Sequence, residues 1–174
     1  MASRQAKPIV AFDLDGVLVD KPPFMPKKVL EWLFRGRKKD RLHYRFPPRW
    51  EQFVRQLAHF YLLRPPIKQN IRFLHKLNRQ QKYRLILISS RYSFLQTQTK
   101  QWLKKRRVDR CFDQIYLNTK DKQPHLFKEK KLGQLKPKVY FEDDQLIVNY
   151  LRQKLPRTKI VFATAKKPLP PLPS

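Results

Sequence analysis

Residues 8–20 read PIVAFDLDGVLVD, and the fold turns on this stretch. The apolar run Ile9, Val10, Ala11, Phe12 is short, partly β-branched and soon followed by Gly16, which predicts a buried strand running into a turn. It delivers two carboxylates, Asp13 and Asp15, to the strand's carboxyl end, where open α/β sheets place their ligands. Two anions this close repel unless a cation or a shared proton relieves them. Hard oxygen donors select Mg²⁺ for that role.

Working outward, the composition sets these acids apart. The chain has 40 Lys plus Arg against 13 Asp plus Glu, a formal net charge of +27. Five of the 13 carboxylates sit in two short pieces, Asp13 with Asp15 and then Glu142, Asp143 and Asp144, while residues 52–108 hold none. A chain this basic that still clusters its few acids points to their use. The positive charge has two readings: a solvated surface, or a field that attracts phosphorylated and polyanionic ligands, nucleic acid included.

At 174 residues the chain is expected to form one domain with a small inserted subdomain. Its 12 Phe, 7 Tyr and 3 Trp suffice for a real core. The single cysteine, Cys111, excludes an internal disulfide, fits a reducing compartment and is expected to be a small buried residue. No signal peptide and no run long enough to span a bilayer is evident, so a soluble, cytoplasmic protein without a membrane partner is expected. His43, His59, His75 and His125 share no metal-ligand spacing.

Strands and helices alternate, which predicts a mostly parallel α/β sheet. After the first strand, Pro22, Pro23 and Pro26 break the chain before a short helix over Lys27 to Phe34. Trp50, Phe53, Val54, Leu57, Ala58 and Tyr61 have helical spacing, predicting a helix from Trp50 to Leu63. Pro65 and Pro66 then open a helix with Ile67, Ile71, Leu74 and Leu77 on one face. Strands are expected at Arg84–Ser89, Gln114–Leu117, Lys138–Glu142 and Lys159–Ala163, with helices over Ser93–Lys105, Pro124–Leu135 and Gln145–Lys154 between them. The Pro-rich end, residues 166–174, is expected to be an extended or disordered tail.

Four of these places resemble the haloacid dehalogenase superfamily of phosphotransferases, whose signature is DxDG after a first strand. The second motif, a Ser or Thr ending an apolar strand, matches Ser89 in RLILISSRY, with Ser90 one step behind. The third, a Lys near the start of the helix before the fourth strand, matches Lys128, with Lys120, Lys122, Lys130 and Lys131 as rivals. The fourth is the acidic VYFEDD; Ile147 stands where a GDxxxD pattern would carry its later Asp, so the chain is similar to the DD variant. The resemblance implies a Rossmann-like core of five strands with helices on both faces, formed by residues 1–20 and 66–165, and a small helical cap at 21–65.

The resemblance also implies roles. Asp13 would attack phosphorus and form an aspartyl-phosphate, and Asp15 would protonate the leaving oxygen and then activate water. Mg²⁺ would be held by Asp13, the Asp15 backbone carbonyl and Asp143, Asp144 or both, with Asp143 preferred. Ser89, Ser90 and Lys128 would hold phosphoryl oxygens. The expected activity is a Mg²⁺-dependent phosphatase acting on a nucleotide or other small phosphorylated metabolite. DGVLVD is also similar to the start of the 5′-deoxynucleotidases of this superfamily.

In the insertion, Phe24, Trp32, Phe34, His43, Tyr44, Phe46 and Trp50 interleave with Arg35, Arg37, Lys38, Lys39, Arg41, Arg45 and Arg49. They either pack a cap, with the cations solvated, or stack a base and bind phosphate. The alternative function is therefore a nucleic-acid-associated protein on the same fold, a polynucleotide end phosphatase or a binding module with little catalysis.

Overall fold

The computed structural model describes residues 7–22 and 42–172. The helix expected over Lys27–Phe34, and with it Phe24, Trp32, Phe34 and the cations from Arg35 to Arg41, lies outside the described residues.

Five strands form one parallel sheet: β1 (Ile9–Phe12), β2 (Arg84–Ser89), β3 (Gln114–Leu117), β4 (Val139–Glu142) and β5 (Lys159–Phe162). Their order across the sheet is β3-β2-β1-β4-β5. The chain runs outward from β1 to β3 on one side and returns to build β4 and β5 on the other. The reversal leaves a crevice between the carboxyl ends of β1 and β4, the place where sheets of this type bind ligands. Phe12 pairs in register with Leu87 and Phe141, so the ends of three strands lie at one level.

Alternation along the strands sorts the apolar residues onto two faces. Val10, Phe12, Leu85 and Leu87 pack with Leu74 and Leu77 of α2 (Lys68–Gln80) and Trp102 and Leu103 of α3 (Gln96–Lys105). Ala11, Ile86, Ile88 and Tyr140 pack with Phe127 and Leu132 of α4 (Pro124–Leu135) and Ile147 and Leu151 of α5 (Gln145–Lys154). Pro124 opens α4, a position where its missing N–H costs nothing. Cys111 is buried, with its Sγ 3.3 Å from His75 Nδ1.

Three helix ends differ from expectation, the first being α3, which begins at Gln96 after a 3-10 turn over Ser93–Leu95. The helix of the insertion, α1, spans Arg49–Ala58 and stops short of Leu63, continuing as successive turns in which Phe60 N bonds Leu57 O and Leu63 N bonds Phe60 O. Pro65 and Pro66 do not open α2. Asp20 N donates to Pro65 O and Ile67 N to Leu18 O, both at 2.8 Å, and Val19 bridges Pro66, so this segment is extended. A residue before proline is driven from the helical region, and the backbone there pairs with the turn after β1 instead.

The orientation of α1 is the larger difference. Trp50, Phe53, Val54 and Leu57 face solvent, while Glu51 and Arg55 are buried. Arg55 Nε and Nη2 donate to Glu51 Oε1 at 2.9 and 2.5 Å, and Arg45 Nη2 donates to the other carboxylate oxygen. Helical spacing located the element but not the side that turns inward.

Tyr44 and Arg64 tie the described part of the insertion to the body. Gln123 Oε1 accepts from Tyr44 N at 2.9 Å and Gln123 Nε2 donates to Tyr44 O at 3.0 Å. Trp102 Nε1 donates to Arg64 O at 2.7 Å. Residues 166–172 carry no regular element, yet Leu169 is buried in the core layer of α2 and α3, so this stretch is anchored to the body rather than loose.

Candidate active site

The turn after β1 puts Asp13 in the crevice. Its N–H continues the ladder to Phe141 O at 2.9 Å, which fixes the carboxylate beside the end of β4. Gly16 follows at φ +70°, and a Cβ there would fall 1.8 Å from Asp143 Oδ2. Glycine is therefore needed twice over, for its backbone conformation and for the close approach of Asp143.

Lys128, from α4, is buried beneath this pair. Its Nζ lies 2.9 Å from Asp13 Oδ2 and 2.7 Å from Glu142 Oε2. Asp13 and Glu142 together hold it protonated, well above the usual lysine range, although burial acts in the opposite direction. Among the lysines weighed from the sequence, Lys128 is the one brought to the acids. Lys120, Lys122, Lys130 and Lys131 line a groove at the β3 edge instead.

One ligand oxygen each from Asp13, Glu142 and Asp143 lies within 4.8 Å of the other two. Asp143 is exposed as a residue, but its carboxyl crowds against Gly16 and the other acids. Lost hydration and then the charges of Glu142 and Asp13 raise its pKa well above the usual carboxylate value. Burial, opposed by Lys128 and aided by Glu142 and Asp15, pushes Asp13 up from 3.8 to about 8. Three acids around one ammonium thus hold more negative charge than the site can keep ionised by itself. The donors are all carboxylate oxygens, and this set fits a hard divalent cation such as Mg²⁺.

Glu142 is set apart within the trio. Its Oε2 accepts from Lys128 and from Tyr140 Oη at 2.9 Å, and its Oε1 accepts from Asp144 N at 3.2 Å. Those bonds suit it to orienting Lys128 more than to gripping an ion. Asp144 is directed elsewhere: it caps α5 by accepting from Leu146 N at 3.0 Å and accepts from the Tyr44 hydroxyl of the insertion.

Asp15 faces away from the acids, toward two arginines. Arg91 Nε and Nη2 bond its two oxygens at 2.6 and 2.7 Å, and Arg64 Nη2 adds a third contact at 2.5 Å. Burial works to raise its pKa, but Arg91 first and Arg64 after it hold the carboxyl well below the usual range. Thr99 Oγ1 accepts from Arg91 Nη1 at 3.1 Å and fixes its orientation. Neither arginine was singled out in the sequence, where cations are too common to mark a site; Arg91 does stand two places after Ser89. Ser89 is buried at the end of β2, its Oγ 3.5 Å from Arg91 N, and the Ser90 carbonyl accepts from Asn118 Nδ2 at 3.4 Å.

No family model and no curated protein matches the chain. Solved structures do. A haloacid dehalogenase family enzyme from Bacteroides thetaiotaomicron, an Asp-to-Ala variant in complex with magnesium and inorganic phosphate, is 11% identical at a TM-score of 0.58, covering 93% of this chain and 96% of that one. A haloacid dehalogenase-like family hydrolase from Streptococcus pneumoniae is 16% identical at a TM-score of 0.53, covering 84% and 80%. A chain of the Pnkp1/Rnl/Hen1 RNA repair complex is 18% identical at a TM-score of 0.53, covering 94% of this chain and 44% of that one. This chain thus spans less than half the length of that last neighbour. The fold is the haloacid dehalogenase-like one.

Proposed function

We propose that the chain is a Mg²⁺-dependent phosphatase working through an aspartyl-phosphate at Asp13. The observation that carries this is the convergence of Asp13, Lys128, Glu142 and Asp143 at the crevice between β1 and β4. Asp13 and Asp143, with the Asp15 backbone carbonyl, would hold the cation, which when bound neutralises the pocket for an incoming phosphate.

An oxygen of Asp13 attacks phosphorus, and the bond from phosphorus to the leaving oxygen breaks as that oxygen gains a proton. Lys128 fixes the nucleophile through Oδ2 and, with Ser89 and Ser90, offers donors to the phosphoryl oxygens. Water then attacks phosphorus in the aspartyl-phosphate, loses its proton to Asp15, and releases inorganic phosphate and Asp13. Asp15 as held here is a carboxylate, the form that accepts this proton. Donating one in the first half would require it to turn from Arg91 and Arg64 and take up a proton from solvent, which it would pass to the leaving oxygen. Its side chain, 35% exposed, has room to turn.

The substrate we favour is a nucleotide or similar small phosphorylated molecule, taken under a cap formed by residues 21–65. The contacts of Tyr44 with Gln123 and Asp144 support that placement. A nucleic-acid end is the second reading, favoured by the +27 charge and by the RNA repair complex among the structural neighbours.

The test is turnover of p-nitrophenyl phosphate and a nucleotide panel with and without MgCl₂, with acid-quench trapping of phosphoenzyme. Asp13→Asn should lose turnover by about a hundredfold or more, the scale of removing a group that reacts directly, and should trap no phosphoenzyme. Asp15→Asn should still form it from the aryl phosphate. Unimpaired turnover by Asp13→Asn ends this mechanism.

A further inference from the structure

At the carboxyl end of the edge strand β3, a groove of about 530 Å³ opens between α3 and α4. Five lysines line it, Lys100, Lys120, Lys122, Lys130 and Lys131, and none of its lining residues is acidic. The acids next to these lysines in sequence are turned away. Asp121, between Lys120 and Lys122, accepts from Ser93 N at 2.5 Å and Ser93 Oγ at 2.7 Å. Glu129, beside Lys130, accepts from Tyr150 Oη at 2.6 Å. Five lysines thus line the groove while Asp121 and Glu129 bond elsewhere, an arrangement that favours a polyanion.

The groove also has an aromatic surface and firm walls. Tyr116 lines it with Lys131 Nζ 4.4 Å from its ring centroid, which brings a ring and a cation together as in sites for single strands. Asn118 stiffens the loop, donating to Lys122 O at 2.7 Å and accepting from Lys122 N at 3.0 Å. Its own N–H bonds Ser89 O at 3.2 Å, and α4 carries Lys128 to Asp13, so groove and acid cluster share two walls. With β2 between β3 and β1, the two sites are about 10 Å apart at the usual strand spacing.

We infer that this groove binds a single-stranded nucleic acid, its phosphates on the five lysines and a base against Tyr116, with one end directed toward Asp13. A concave groove suits a strand; a lipid surface would need a flat face. What happens at the strand's end rests on the phosphatase reading, but the binding does not.

The test is fluorescence anisotropy of a labelled single-stranded 12-mer, as DNA and as RNA, with the Asp13→Asn protein so that no end is processed. Affinity should fall steeply between 50 and 300 mM KCl, since each phosphate contact to a single strand contributes about −0.7 to the slope of log K against log salt. Replacing Lys120, Lys122 and Lys130 together by Gln should reduce that slope by about 2. The same change at Arg72, Lys76 and Arg79 of α2, none of which lines the groove, should leave it nearly unchanged. Tyr116→Leu should weaken binding by about 5-fold or more at every salt concentration, as loss of a stacking ring does.

An equal loss of slope from both triple variants overturns the inference. So does inorganic polyphosphate displacing the strand at matched phosphate while Tyr116→Leu has no effect, because the groove would then take charge alone. Capture by anionic lipid vesicles without oligonucleotide binding overturns it as well. Catalysis without strand binding refutes the groove and spares the phosphatase reading; strand binding without phosphoenzyme from the Asp13-bearing protein does the reverse.

Discussion

Asp13 and Asp15 stand two residues apart, yet their surroundings drive them in opposite directions. Asp13 enters a buried cluster of acids and rises to about 8, while Asp15 is held low by Arg91 and Arg64. The consequence for stability follows from the proton count. In cation-free protein the folded state holds more protons than the unfolded chain between the ordinary value of 3.8 and about 8, so stability falls as pH rises through that window. Asp15 acts with the opposite sign: its ion pairs stabilise above its unfolded value, and that contribution is lost only in strong acid. Thermal melts from pH 5 to 8.5 in EDTA should therefore show a declining Tm that 5 mM MgCl₂ reverses most at the high-pH end, and that Asp13→Asn flattens. Identical curves with EDTA and Mg²⁺ would count against the cation site.

At the scale of elements, α1 shows how pattern and packing part company. Its apolar residues have helical period, but the inward side carries Glu51 between Arg55 and Arg45. Removing one partner of a buried ion pair leaves the other charge without compensation, a loss of about 3–5 kcal/mol. Glu51→Gln should thus lower the midpoint of urea unfolding clearly. The paired change Glu51→Leu with Arg55→Leu should recover most of that loss, since apolar groups of similar volume can replace a buried pair at little cost. If the single change is as mild as a surface substitution, the pair does not hold α1. The opening of α2 carries a similar lesson: Pro65 and Pro66 favour a first turn, but backbone bonds from Asp20 and Ile67 hold them extended.

Over the whole molecule, 40 cations face 13 acids, and the buried ion pairs take up several of those acids. What remains is a surface of like charges whose repulsion disfavours the compact state. Raising NaCl from 20 to 300 mM shortens the screening length from roughly 20 Å to below 8 Å, so Tm should rise over that range at fixed pH. A Tm that stays level would mean the cations lie too far apart to repel. Among the described residues no helix is long and apolar enough to cross a membrane.

The sequence by itself determined the sheet. Ile9–Phe12 and Arg84–Ser89 appear at their expected bounds because a short apolar run between turn residues has few alternatives once its backbone must find partners. The acids at the ends of the first and fourth strands were legible for the same reason, since a rare charge in a basic chain stands out and a parallel sheet gathers its strand ends on one side. Only the tertiary structure showed which of Lys120, Lys122, Lys128, Lys130 and Lys131 reaches the acids, because similar cations in the loop before α4 and around its turns are told apart only by which of them faces the crevice. It alone parted Asp143, crowded over Gly16, from Asp144, which caps α5 and meets Tyr44. It alone brought Arg64 and Arg91, 27 residues apart in sequence, to Asp15. Periodicity records which residues share a side of an element; which side turns inward, and onto what, is settled by contacts between segments far apart in the chain.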